Sequence, residues 1–170
     1  MPLLANGVKS YIAANFITTD IMSKRLNTLD VQITTCHPDA EIPEYQEEGD
    51  VGMDLKATEK IKDTTQRLWF KTGLKIAIPE GYAGLIFPRS SITELNLELG
   101  NAVGVLDPGF RGEVQVRFNA SHLRGTGGQY QEGDRVAQLI INRVPHVRFH
   151  EVESLDETER GEGGFGHTGR

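Results

Sequence analysis

One cysteine in 170 residues is the first shortage. Cys36 has no partner within the chain, so a disulfide-stapled secreted domain is excluded. Basic residues are also in the minority: 18 Lys and Arg against 24 Asp and Glu give a net charge of −6. A general nucleic-acid binder carries a basic face, so no nucleic-acid partner is expected. No apolar run approaches the roughly 20 residues needed to cross a bilayer, which excludes a spanning helix. The N-terminal stretch lacks the continuous apolar segment of a signal peptide. A cytoplasmic protein with no membrane partner is the expectation, in one domain at this length.

Glycine is plentiful. Nineteen glycines and seven prolines imply many turns and few long helices. Residues 1–28 show neither a strand nor a helix period and read as an N-terminal extension. From Leu29 the pattern is of short strands: LDVQITTC, VGMDLKAT, LWFKTGLKIAIP broken at Gly73, YAGLIFP, GEVQVRFNA, RVAQLIINRV and HVRFHEV. In GEVQVRFNA strict alternation puts Val114, Val116 and Phe118 on one face and Gln115 and Arg117 on the other. One short helical turn is expected around Ser91–Leu95. Such a series predicts an all-β barrel or sandwich over 29–153. Residues 154–170, charged and then glycine-rich, bury little by themselves and suit a flap carrying one aromatic, Phe165.

Several positions break the strand pattern. Asp54 follows a glycine within a short strand, as a turn-side carboxylate or as one that holds a metal or its waters. The apolar strand YAGLIF ends in Pro88-Arg89-Ser90-Ser91, where hydroxyls, backbone N–H groups and a guanidinium suit a phosphate; an N-cap beside an exposed arginine is the plainer reading. Asp107, at the end of an apolar run before Pro-Gly, is a hairpin residue or a general base on water. Gln138 interrupts an apolar strand and needs a polar partner there. His146 and His150 lie about 13 Å apart on a strand, too far to share a zinc ion.

In order, VGMDL, PRSS, NAVGVLDPGFRGE, GDRVAQ and RGEGGFGHTG resemble the five motifs of the trimeric dUTP diphosphatases (dUTPases). The resemblance runs from about Leu29 to Arg170. It implies a jelly-roll-like β-barrel, a homotrimer with shared active sites, Mg2+ as cofactor, and hydrolysis of dUTP to dUMP and pyrophosphate. It implies Asp107 as the base on the attacking water, and Asp54 and Gln138 as partners of the waters around magnesium. Arg89, Ser90 and Ser91 would bind phosphates, and Asn101 with the backbones of Val105, Leu106 and Gln115 would read uracil. Phe110 would pack under the deoxyribose. From the tail, Arg160 would meet the γ-phosphate, Phe165 would stack on uracil, and Gly166, His167 and Thr168 would line the phosphates.

Two positions depart from the family pattern. Phe110 stands where Tyr is common, and His167 where Ser is usual. A related deaminase of dCTP is disfavoured, because its catalytic glutamate would fall at Arg117. An alternative function is a nucleotide-dependent regulatory module on the same fold, with residues 1–28 as its contact surface.

Overall fold

The structure, a computed structural model, describes residues 28–64, 66–120 and 129–167. The expected N-terminal extension, but for Thr28, lies outside the described residues, as does Thr168. The order of elements is β1 (Gln32–Thr35), β2 (Met53–Lys56), β3 (Glu59–Asp63), β4 (Arg67–Lys71), β5 (Leu74–Ala77) and β6 (Tyr82–Phe87). A 3-10 turn over Ser90–Glu94 follows, and then β7 (Leu97–Leu99), β8 (Gly104–Leu106), β9 (Gln115–Ala120) and β10 (Arg135–Arg143). Two four-stranded sheets, ordered β2-β10-β6-β8 and β3-β4-β9-β7, enclose the core, and β1 pairs with β5 alone. The architecture is the all-β, jelly-roll-like barrel that the resemblance implies.

Alternation builds this core. Val114, Val116 and Phe118 are 1%, 1% and 0% exposed, while Arg117 between them faces outward. Phe118 meets Phe70 edge-on at 6.3 Å and Tyr130 at 5.4 Å between ring centroids. The break between β4 and β5 falls at Gly73, whose φ of 68° is left-handed. Pro79-Glu80-Gly81 makes the turn into β6, with Tyr82 N–H donating to the Pro79 carbonyl at 3.2 Å.

Three differences from the sequence-based expectation stand out. The segment HVRFHEV forms no strand: 146–152 continue past β10 with Val147, Phe149 and Val152 exposed. Alternation there marks a face, but no strand edge in the described residues pairs with it. Strands β3 and β7 were not anticipated, because they are short and their pairing is supplied by β4 and β9. The helical turn exists, but its N-cap is Arg89, with no side-chain cap bond, and not a serine.

Candidate active site

Strand register brings three of the singled-out segments together. Gln138 on β10 lies opposite Asp54 on β2 and, across its other edge, opposite Phe87 at the end of β6. The chain leaving β6 therefore places Pro88 and Arg89 beside Asp54 and Gln138. Arg89 Nε donates to Asp54 Oδ1 at 2.7 Å, and Arg135 Nη1 to Asp54 Oδ2 at 3.1 Å. Both carboxylate oxygens thus hold a guanidinium, and one negative against two positive charges leaves this corner attractive to anions.

Gly52 is required here. A Cβ at that position would come within 2.5 Å of Gln138 Oε1, so the glycine leaves the space that this oxygen fills. Gln138 Nε2 donates to the Pro88 carbonyl at 2.9 Å, which fixes which end of the amide is turned toward Gly52. Ser90 and Ser91 are both exposed beside this corner, and Ser91 Oγ lies 3.4 Å from the Tyr130 hydroxyl. Among the described residues no group of three or more His, Cys, Asp or Glu could hold a bare metal ion. One carboxylate and one amide oxygen do suit the hard, water-clad Mg2+ ion, which keeps much of its hydration shell.

The motif around Asp107 forms a second, separate feature. A cleft of about 770 Å3 is lined by Asn101, Val105, Leu106, Phe110 and Gln115, among others. Two strand edges face it. Among the described residues β8 pairs with β6 on one side only, and the β7 side of β9 has no strand partner before Arg117, whose carbonyl accepts from Gly100 N–H at 2.8 Å. Unpaired main-chain donors and acceptors at such edges can bond a flat heterocycle as they would another strand.

Asp107 is exposed one residue past Leu106, at the mouth of the hairpin. Its carbonyl accepts from Phe110 N–H at 3.0 Å, with Pro108 and Gly109 as the central turn residues. Arg111 Nη1 clamps the same turn by donating to the carbonyls of Pro108 and Phe110 at 2.6 and 2.7 Å. The Phe110 ring lies over Gly112, where a Cβ would sit 2.7 Å from it. That contact keeps the ring at the rim of the cleft, 39% exposed.

The tail stays apart from both features. Arg160 Nε donates to the Gly163 carbonyl at 2.8 Å and His167 N–H to the Gly164 carbonyl at 3.1 Å, so these bonds are local. Phe165 is fully exposed in a left-handed conformation with φ of 44°, and Gly166 follows with φ of 87°. Nor does one chain unite the two barrel features. Leu106 pairs with Gly84, which puts Asp107 opposite the start of β6, while Arg89 follows its end. At about 3.3 Å per residue the two are roughly 20 Å apart along the strands.

Sequence reasoning passed over Arg135, Trp69 and Tyr130. Arg135 lay within GDRVAQ, and its place just before the β10 bulge, three residues ahead of Gln138, was the available signal. Trp69 and Tyr130 carried none, because only pairing and packing bring them to the cleft and to Ser91.

The dUTPase family profile matches residues 38–169. A deoxyuridine 5'-triphosphate nucleotidohydrolase of Streptomyces griseus is 41% identical over 143 residues, covering 83% of this chain and 81% of that one. Another, from Fusobacterium nucleatum, is 40% identical over 134 residues, covering 76% and 90%. Among solved structures, a dUTPase of Staphylococcus bacteriophage 80alpha bound to dUpNHpp shares the fold with TM-score 0.72 at 24% identity, over 84% of this chain and 100% of that one. A dUTPase variant of phage phi11 of S. aureus, described for its coordination of a structural Mg(II) ion, gives TM-score 0.63 at 25% identity, over 74% and 98%. Family profile, relatives and fold agree, and the chain belongs to the dUTPase family.

Proposed function

We propose that the chain hydrolyses dUTP to dUMP and pyrophosphate as a homotrimer, acting in the cytoplasm with Mg2+ as cofactor. The observation that carries this reading is the cleft between the edges of β8 and β9, lined by Leu106 and Phe110 on either side of the Asp107 turn. Main-chain groups of Val105, Leu106 and Gln115, with Asn101, offer uracil a fixed set of donors and acceptors. In this reading the fit of uracil between these edges leaves no space for a 5-methyl group. A base of the wrong pattern would also leave its polar groups unpaired. Phe110 packs under the deoxyribose, where a 2′-hydroxyl would meet the ring.

Asp107 takes the proton of a water that attacks the α-phosphorus. The new O–P bond forms as the bond to the bridging oxygen breaks, and pyrophosphate leaves with its electron pair. Arg89, Ser90 and Ser91 hold the phosphates, and Arg135 adds positive charge to that corner. Asp54 and Gln138 would hold Mg2+ through its waters, and the ion, when bound, would neutralise charge on the triphosphate. From the tail, Arg160 meets the γ-phosphate and Phe165 covers the base. Gly166, His167 and Thr168 line the phosphates, and closure excludes bulk water.

The separation of about 20 Å between Asp107 and Arg89 within one chain supports shared sites. Copies arranged about a threefold axis bring the hairpin of one to the arginine corner of the next and the tail of a third. The deciding experiment is pyrophosphate release from dUTP, dCTP, dTTP and UTP with Mg2+, for the wild type and Asp107→Asn. The expected result is turnover of dUTP far above that of the other three nucleotides, reduced at least about a thousandfold in the variant while dUTP still binds. No turnover of dUTP by the wild type would overturn the reading.

A further inference from the structure

The cleft that takes the base in the reading above continues beyond the uracil-reading groups to a pair of side chains that nothing so far has used, Trp69 and Arg117. They face each other across the β4–β9 pairing, where Trp69 is the direct partner of Arg117. The guanidinium carbon lies 4.2 Å from the centre of the Trp69 ring, a stacked cation–π contact. Lys62 Nζ rests on the same ring at 4.6 Å. Arg117 Nη2 donates to Gln115 Oε1 at 3.2 Å. The stack and this bond together fix the plane of an arginine that is otherwise exposed.

A guanidinium has five N–H donors, and Gln115 takes one of them among the described residues. The remainder are available to an acceptor in the cleft. The chemistry of a pyrimidine nucleotide says which acceptor arrives. The sugar is joined at N1, and C4 lies para to N1 across the ring. With the deoxyribose at Phe110, the substituent on C4 therefore points away from Phe110, into the cleft that Asn101 and Arg117 also line. In uracil that substituent is a carbonyl oxygen, and in cytosine it is an amino group.

We propose that Arg117, held flat on Trp69, is a specificity-determining residue that favours the 4-oxo group of uracil and disfavours the 4-amino group of cytosine. A cationic donor meets an acceptor in the first case and another donor in the second. One partner is rewarded and the other opposed, and discrimination needs both. Trp69 acts through Arg117 and is a positioning residue. Its ring restricts the guanidinium, whose charge and fork would otherwise sample several directions.

The inference rests on dUTP hydrolysis, and its test separates the two. Steady-state kcat/KM is measured for dUTP and dCTP on the full chain, wild type against Arg117→Met, Arg117→Lys and Trp69→Leu, with thermal unfolding of each. The expected result is a fall in the dUTP-to-dCTP ratio of about tenfold or more in Arg117→Met. Arg117→Lys should recover part of it, and Trp69→Leu should lie between. A ratio unchanged in Arg117→Met, with dUTP turnover intact or with both substrates weakened equally, would overturn the inference and leave the proposed function standing. A wild type that turns over neither nucleotide would overturn both.

Discussion

The barrel and the tail hold their candidate residues in opposite ways. In the barrel, Asp54, Gln138 and Arg89 are set by the register of β2, β10 and β6 and tied by bonds of 2.7 to 3.1 Å. In the tail, the bonds of Arg160 and His167 among the described residues run to glycines three residues away, and Phe165 is fully exposed. Ordering the barrel groups is covered by burial of the core when the chain folds. Ordering the tail must be covered when a ligand or a neighbouring copy arrives. The comparison teaches that barrel groups are ordered before any ligand arrives and tail groups are not; in the proposed function the first act as preorganised charge and the second as binding energy, so damage to each should register in different measurements.

The sharpest contrast is the same substitution in the two regions. Phe118→Ala removes a ring that is 0% exposed and packed on Phe70 and Tyr130, and should cost about 3–5 kcal/mol. Phe165→Ala should leave Tm unchanged, because its ring contacts nothing that folding orders. Equal shifts in thermal unfolding would break the comparison. Truncation after Glu153 comes next: KM for dUTP should rise at least about tenfold with the unfolding transition undisturbed, since the removed residues contribute no core. A truncated chain that unfolds at lower temperature would show the tail to be part of the fold.

Gly52→Ala tests the barrel side more finely. Its methyl group would displace Gln138 Oε1, and kcat/KM should fall by roughly tenfold while KM for dUTP moves little, with more Mg2+ needed for half-maximal activity. An unchanged Mg2+ requirement would remove Gln138 from the proposed role. The smallest effect is expected for His167→Ser, which exchanges an imidazole for a hydroxyl donor. KM should change by a few-fold and kcat by less; a large fall in kcat alone would refute the division between binding tail and catalytic barrel.

Much of this was legible in the residues. Alternation at 114–118 named the buried face correctly, Gly73 and Pro79-Glu80-Gly81 marked the turns, and three of the broken patterns, at Asp54, Arg89 and Gln138, fall where strand register brings the side chains together. The tail composition announced a segment without a core of its own. Illegible were the features that depend on who pairs with whom. HVRFHEV has a strand's alternation and no partner edge among the described residues. Glu59–Asp63 has almost no apolar pattern and is a strand because β4 lies beside it. Arg135 and Trp69 matter through neighbours far off in the chain, at Asp54 and Arg117.

By itself, then, the sequence determined the class of fold, the face each long strand buries, and the kinds of group offered to a ligand, because side-chain periodicity and turn chemistry are local properties of the chain. The tertiary structure alone decided that Asp54 lies opposite Gln138, that the edges of β8 and β9 leave a cleft, and that Asp107 and Arg89 sit at opposite ends of β6. Register, edge exposure and distance across a sheet arise from pairing between segments up to about eighty residues apart, such as Asp54 and Gln138. No local pattern records which of the possible pairings buries the most apolar surface with its hydrogen bonds satisfied.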